Sequence, residues 1–335
     1  MAAARPTGLV TLAHVKKEVR LALTRASDRP ELRRVLERLL SKPGRVLARD
    51  GRAPWPGFVL QTCAALGGDL RVAPLTAAAV ELAVTAIDVV DDLIDGDFEG
   101  TANERARAQN ASLVLGWLSQ RCVIQLADHI GLARAARLGD VIAAWSLSSC
   151  DGQDLDLLLE GDAEADEHAA LDATIRKSGS LCAMACLAGA ALATDDPATL
   201  DVVRRFGQHA GVTAQLLNDL EGVSIDASLH KNDFRQRKKT VPAAYLLHCA
   251  REDGLDSVLD WYASEASLDH GHLVELATAA HVLGALTYTW ILADVHRREA
   301  LRALDELRQL TGRDAVLSLR RLVPSVRARS LRAAA

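Results

Sequence analysis

Apolar residues recur at three- and four-residue steps along nearly the whole chain, the signature of amphipathic helices rather than of strands. Residues 9–24 and 30–40 read as two such helices, with Asp28 a fair cap for the second and Pro30 early in its first turn. A Gly-, Pro- and Arg-rich loop follows over 42–57, then a short buried helix over 58–66 closed by Gly67-Gly68. Long helices are expected over 103–129 and 132–160, an acidic turn over 161–166, and apolar helices over 171–193 and 198–223. A polar loop spans 226–239; helices over 241–251, 255–264, 272–310 (broken near Gly284) and 314–327 complete the pattern.

One stretch departs from amphipathic patterning. Residues 74–90 are apolar or small with almost no charge, as in a helix buried nearly all round. That helix runs into five aspartates: Asp88, Asp91, Asp92, Asp95 and Asp97. The first four stand at three- and four-residue steps and so share one helix face. Carboxylates so placed repel one another, and burying them unpaired is expensive. Hard divalent cations resolve this, since Mg²⁺ takes one or two carboxylates together with substrate phosphates. A solvated acidic helix end is the plain alternative, and an apolar helix is an odd carrier for one.

The chain has 335 residues, nine prolines and no Pro/Gly/Ser-rich linker, which favours a single large all-α domain over 1–335 with a motif-bearing core of about 56–252. A net charge of −5 gives no basic footprint for nucleic acid. The first ten residues lack the long apolar core of a signal peptide, and no apolar run is clean enough to span a bilayer. The six cysteines are scattered in apolar surroundings. Cys182 and Cys186 are one turn apart, but no partner pair completes a zinc site, so two small core residues are expected. Together these features point to a reduced, cytoplasmic protein.

A second apolar helix also ends in acid, through Gln215, Asn218, Asp219, Glu221 and Asp226. Lys177 stands near the start of a third, and the 226–239 loop is rich in Lys and Arg. Acid on two helix ends with base around them suits a magnesium-bound diphosphate: the metal bridges carboxylate and phosphate, and Lys and Arg neutralise the remaining charge. Apolar helix faces would then take a hydrocarbon tail.

In order along the chain, these residues resemble the motifs of the polyprenyl synthetases, the trans-isoprenyl diphosphate synthases of the class I isoprenoid synthase fold. Asp91-Asp92-Leu93-Ile94-Asp95 matches the DDxxD motif. Gly152-Gln153-Asp154-Leu155-Asp156-Leu157 is similar to GQxxDL, and Lys177-Ser178-Gly179 to KT(G/A). The run from Gln215 to Asp219 is similar to QxxDD, and the run from Asp233 to Pro242 to DLxxGKxTLP. The resemblance implies an all-α helical bundle with a central apolar cavity, a homodimer, and three Mg²⁺ ions bound with an allylic prenyl diphosphate of C15–C20. It gives catalytic roles to Asp91, Asp92, Asp95, Asn218 and Asp219, with Asp91 and Asp95 holding metal. Lys177, Gln215 and Lys238 would hold the diphosphate, joined by Lys231 and Arg235 of the same loop as Lys238. Ala86, five positions before the first aspartate, would gate the tail, with Leu82 one turn deeper.

The departures from the family are specific. Chain-elongating members carry GGKRxRP where this chain has Gly51-Arg52-Ala53-Pro54-Trp55-Pro56, and RRG where it has Phe98-Glu99-Gly100. Those basic residues hold isopentenyl diphosphate, so that site looks dismantled. The second acidic motif also fits the terpene cyclase pattern (N/D)Dxx(S/T/G)xxxE, with Asn218 and Asp226 as metal ligands and water at Gly222; a decayed motif without a metal role is the alternative. A terpene synthase is the leading expectation. Prenyl transfer to another acceptor, such as a tryptophan of a peptide, chain elongation with an unusual basic set, and a non-catalytic partner subunit follow. Aromatic residues make up only 4 %, which counts against a cavity built to steady cations.

Overall fold

The computed structural model describes residues 11–160, 162, 164, 166–223, 232–263 and 268–326. Among them there is no strand, and thirteen α-helices follow in order. These are α1 (Leu12–Ala26), α2 (Pro30–Leu39), α3 (Pro54–Leu66), α4 (Ala73–Ile94), α5 (Ala102–Ile130), α6 (Leu132–Leu159) and α7 (Glu167–Thr174). After them come α8 (Ser180–Ala190), α9 (Pro197–Gly222), α10 (Val241–Glu252), α11 (Asp256–Ala263), α12 (His270–Val282) and α13 (Ala285–Thr311). The chain divides into two compact units. The first holds Met1–Ser146, Met184–Val203 and Leu307–Leu319; the second holds Leu147–Ala183, Arg204–Glu306 and Arg320–Ala335.

In the first unit α4 is the core element, packed chiefly against α5 and also against α3 and α1. Its Ala77, Ala78, Ala79, Val80, Leu82 and Val84 are fully buried, and the small alanines let neighbouring helices come close. By length and composition α4 could cross a membrane, but 78 % of its most apolar window is buried inside the protein, as in the core helix of a globular fold. Thr101 caps α5 through a reciprocal pair: its hydroxyl accepts from the Glu104 N–H, and the Glu104 carboxylate accepts from the Thr101 N–H at 2.9 Å.

The second unit is built on an apolar cluster in which Phe234, Leu246, Leu247, Tyr262 and Leu276 are fully buried. The buried Tyr262 hydroxyl lies 2.7 Å from the carbonyl oxygens of both Arg237 and Lys238, pinning the segment that leads into α10. Tyr245 and Tyr288 stack with centroids 4.2 Å apart.

Helix boundaries follow the apolar pattern closely, with three informative differences. The helix expected over 58–66 begins at Pro54, which suits a first turn because proline lacks only an N–H that has no helical partner there. The helix expected over 171–193 is interrupted by a π-helical turn, Ile175–Gly179, between α7 and α8. The last expected helix is a 3₁₀ helix, Asp314–Leu322. The break near Gly284 is present; its φ of 82° lies in the left-handed region open to glycine.

Candidate active site

The aspartates of the first motif occupy the last turn and cap of α4. Asp95 is the C-cap, its N–H donating to the Asp91 carbonyl at 2.9 Å, and Gly96 follows at φ 74°. Asp88, Asp91, Asp92 and Asp95 are all half-buried. The 42–46 loop leans on them. Lys42 Nζ sits 2.5 Å from Asp92 and 5.1 Å from the Phe98 ring centroid, and the Arg45 guanidinium pairs with Asp88. The fully buried Glu81, two turns deeper on α4, accepts from the Val46 N–H at 2.7 Å. Burial pushes the Arg45 pKa down, with Glu81 and Asp92 opposing it. Burial likewise pushes the Glu81 carboxyl up, against the pull of Arg45 and the Val46 N–H. Sequence reasoning missed Lys42 and Arg45; the only signal was two basic residues in a Gly/Pro loop. Arg52, its one basic candidate before α4, is exposed, as is Glu99. Of the tail residues, Leu82 is fully buried and Ala86 is 9 % exposed. The Ser112 hydroxyl of α5 donates to the Ala86 carbonyl at 2.8 Å.

The second unit gathers the other motifs into one polar chain. Lys177, on the π-helical turn, pairs with Asp156 of α6 at 3.0 Å. Beside it, the Ser178 hydroxyl donates to Gln215 Oε1 at 2.9 Å, and Gln215 Nε2 donates to Asp219 Oδ1 at 2.8 Å. A π turn inserts a residue into the helical ladder and is frequent at functional sites. Here it is accommodated by Gly152 of α6, where a Cβ would meet the Lys177 nitrogen at 2.4 Å. The Ser149 hydroxyl also donates to the Lys177 carbonyl at 3.0 Å. GQxxDL and KSG thus meet as a packed pair.

Asp219 is 3 % exposed, and its Oδ2 finds no hydrogen-bond partner among the described residues. Burial, then Asp233, then Asp156 push its pKa up to about 8, against the Gln215 hydrogen bond and Lys177. Asn218, by contrast, is exposed. Lys238 is half-buried and Arg235 is exposed on the turn, its N–H donating to Asn232 Oδ1 at 3.2 Å. Asp226 and Lys231 lie outside the described residues. Sequence reasoning also missed Lys239, which is 1 % exposed with its Nζ 4.1 Å from the Tyr262 ring centroid. Arg237 holds φ 52° where the resembling motif has Gly. Cys182 and Cys186 are buried core residues, and burial raises the Cys182 thiol to about 12.

The donors at both acidic helix ends are oxygens, the chemistry that Mg²⁺ takes, and Asp219 Oδ2 is a buried oxygen without a hydrogen-bond partner among the described residues. No group of three or more His, Cys, Asp or Glu among the described residues is arranged to hold a metal by itself. Taken separately, each end offers the hard oxygen donors that suit Mg²⁺.

The family model for polyprenyl synthetase matches residues 37–278. The geranylgeranyl diphosphate synthase of Mycobacterium tuberculosis is 28 % identical over 264 residues, covering 74 % of this chain and 73 % of that protein. A tryptophan prenyltransferase of Bacillus subtilis is 24 % identical over 247 residues, covering 72 % and 77 %. Among solved structures, a polyprenyl synthetase from Streptomyces coelicolor superposes with a TM-score of 0.79 at 25 % identity, covering 93 % of this chain and 97 % of that one. With its motifs placed in order on an all-α fold, the chain belongs to the polyprenyl synthetase family.

Proposed function

We propose that the protein is a Mg²⁺-dependent prenyltransferase that ionises a C15–C20 allylic prenyl diphosphate and passes the prenyl group to an acceptor. The polar chain Asp156–Lys177, Ser178–Gln215–Asp219 carries this reading, because it sets an ammonium, an amide and a buried carboxylate in fixed order at a π turn. In the first step the C1–O bond breaks heterolytically: the electron pair leaves with the diphosphate and an allylic cation remains. Lys177, Gln215 and Lys238, with Lys231 and Arg235, bind the diphosphate and neutralise the charge it gains. Asp91, Asp92 and Asp95 of the first motif, and Asn218, Asp219 and Asp226 of the second, are the residues assigned to metal. Bound Mg²⁺ supplies Lewis-acid neutralisation of the leaving group.

Chain elongation is the acceptor chemistry that the synthases named above support. The alkene of isopentenyl diphosphate would attack C1, and loss of a proton would restore a double bond. A second reading, an acceptor without a diphosphate, is favoured by exposed Glu99 and by Arg52 as the one basic candidate between 51 and 56. The relatives named here transfer prenyl groups, so a terpene synthase now rests on the altered second motif alone. The test is incubation with C10, C15 and C20 allylic diphosphates and Mg²⁺, with and without isopentenyl diphosphate or a tryptophan-bearing peptide. A longer diphosphate formed only with isopentenyl diphosphate supports elongation, and a prenylated peptide supports the second reading. Hydrocarbon formed from the allylic diphosphate alone makes it a synthase and refutes transfer; no turnover under any condition refutes all three.

A further inference from the structure

The basic segment before α10 is held from an element that carries none of the motifs. Tyr262 lies on α11 and is fully buried. Its hydroxyl is 2.7 Å from the Arg237 carbonyl oxygen and 2.7 Å from that of Lys238. Those carbonyls belong to the two peptide units that flank the Lys238 Cα. Each unit is a rigid plane, so holding both fixes φ and ψ of Lys238. With them it fixes the direction in which the Lys238 side chain leaves the backbone. The Lys238 N–H, on the first of these planes, donates to the Asp233 carbonyl at 3.0 Å.

A phenol suits this task. Its one proton can be shared between two acceptors in a three-centre bond. Burial, then Asp233 and Glu160, push the Tyr262 pKa well above its usual value, so the hydroxyl keeps that proton at neutral pH. The segment also needs holding. Arg237 has a φ of 52°, a left-handed conformation uncommon away from glycine, which persists where the surroundings over-determine it. The ring of Tyr262 takes the next residue, with Lys239 Nζ 4.1 Å from its centroid. One side chain thus contacts three consecutive basic residues, two through their backbone and one through its ammonium.

We infer that Tyr262 is a positioning residue of the diphosphate site, its hydroxyl aiming the Lys238 side chain at the leaving diphosphate. The inference rests on the functional reading above, which gives Lys238 to the diphosphate. The alternative is a buried anchor with no part in binding. The two differ in whether the hydroxyl acts through Lys238.

The test is calorimetric titration of the full chain with inorganic pyrophosphate at saturating Mg²⁺, on wild type, Tyr262→Phe, Lys238→Ala and the double variant. Tyr262→Phe keeps the ring and loses only the hydroxyl. It should weaken pyrophosphate binding by about three- to tenfold, the scale of one lost hydrogen bond. Lys238→Ala should weaken binding at least as much. The double variant should bind no worse than Lys238→Ala, because an amine that is absent cannot be misaimed. Additive losses, or Tyr262→Phe binding like wild type, overturn the inference. Circular dichroism checks each fold. If Tyr262→Phe does not fold, the cycle is repeated in the Lys239→Met background, which lacks the costly buried amine. Failure to fold in both backgrounds also overturns the inference, since the hydroxyl would then hold the fold rather than one side chain. Wild type failing to bind pyrophosphate with Mg²⁺ overturns the functional reading itself. Wild type binding while Lys238→Ala binds equally well removes Lys238 from the diphosphate site, and the inference with it.

Discussion

Replacing Lys239 by Met should make the metal-free protein more stable. Lys239 is 1 % exposed, and its Nζ finds no hydrogen-bond acceptor among the described residues. Burial pushes its pKa down from 10.5 to about 8; Asp162 and Glu164 pull it back up and Arg251 opposes them. A fall of that size corresponds to about 3 kcal/mol of preference for the uncharged amine. Against this stands the Tyr262 ring, 4.1 Å from Nζ, since a desolvated cation–π contact is worth up to about 2 kcal/mol. Met matches the stem in length and needs no partner, so the variant should gain about 1–3 kcal/mol at pH 7. The sign with pH is fixed. Between pH 8 and 10.5 the unfolded chain binds the Lys239 proton and the folded protein does not, so wild-type stability rises across that window. The variant's advantage should be full below pH 8, shrink above it and vanish by about pH 10.5. Urea unfolding of both proteins at pH 6 to 10.5 measures this, the common titrations cancelling in the difference. A variant less stable at pH 7, or one whose advantage is unchanged at pH 10.5, would refute the reasoning.

Asp91→Asn and Asp95→Asn should each cut turnover of an allylic diphosphate strongly at saturating Mg²⁺ while circular dichroism stays unchanged; near-full activity would make the cluster a solvated helix end. Asp219→Asn keeps an acceptor for Gln215 Nε2 and removes a carboxyl whose folded pKa is raised to about 8. Stability from holding that proton is full below the unfolded value near 4 and is lost as pH rises through 8. The Asn variant's melting advantage without metal should therefore grow between pH 5 and pH 9. Ala86→Phe should shift preference from C20 toward C15 or C10 by about tenfold in kcat/KM. The ring must displace neighbours where α5 bonds the Ala86 carbonyl, at about 1–3 kcal/mol of overpacking. A folded variant with unchanged C20 preference would sink the idea.

The helices were legible because burial imposes a period. The clearest was α4, since a run of small apolar residues ending in acid suits a buried helix with a charged end and little else. The π turn was not legible. Ile175 to Gly179 contains no proline, and one inserted residue leaves the apolar period intact on either side. What makes the turn possible is Gly152, some 25 positions away, whose missing Cβ admits the Lys177 backbone. In the same way the 42–46 loop reads as polar punctuation until the fold sets Lys42 on Asp92 and Arg45 on Asp88. Such pairings join residues about 40–50 positions apart, and no local pattern carries them.

The second motif supports two readings along the chain. One pattern uses Asn218, Gly222 and Asp226; the other uses Gln215, Asp219 and position 222. Both are sound helical spacings, so periodicity cannot choose. The two neighbours differ in burial, since side chains of adjacent helix residues point about 100° apart. Asn218 is exposed, whereas Asp219 is 3 % exposed and bonded to Gln215, which is itself bonded to Ser178 of the π turn. The inward face is therefore the one shared with Lys177, and the glycine that both patterns count as a gap is the place where Asp233 enters.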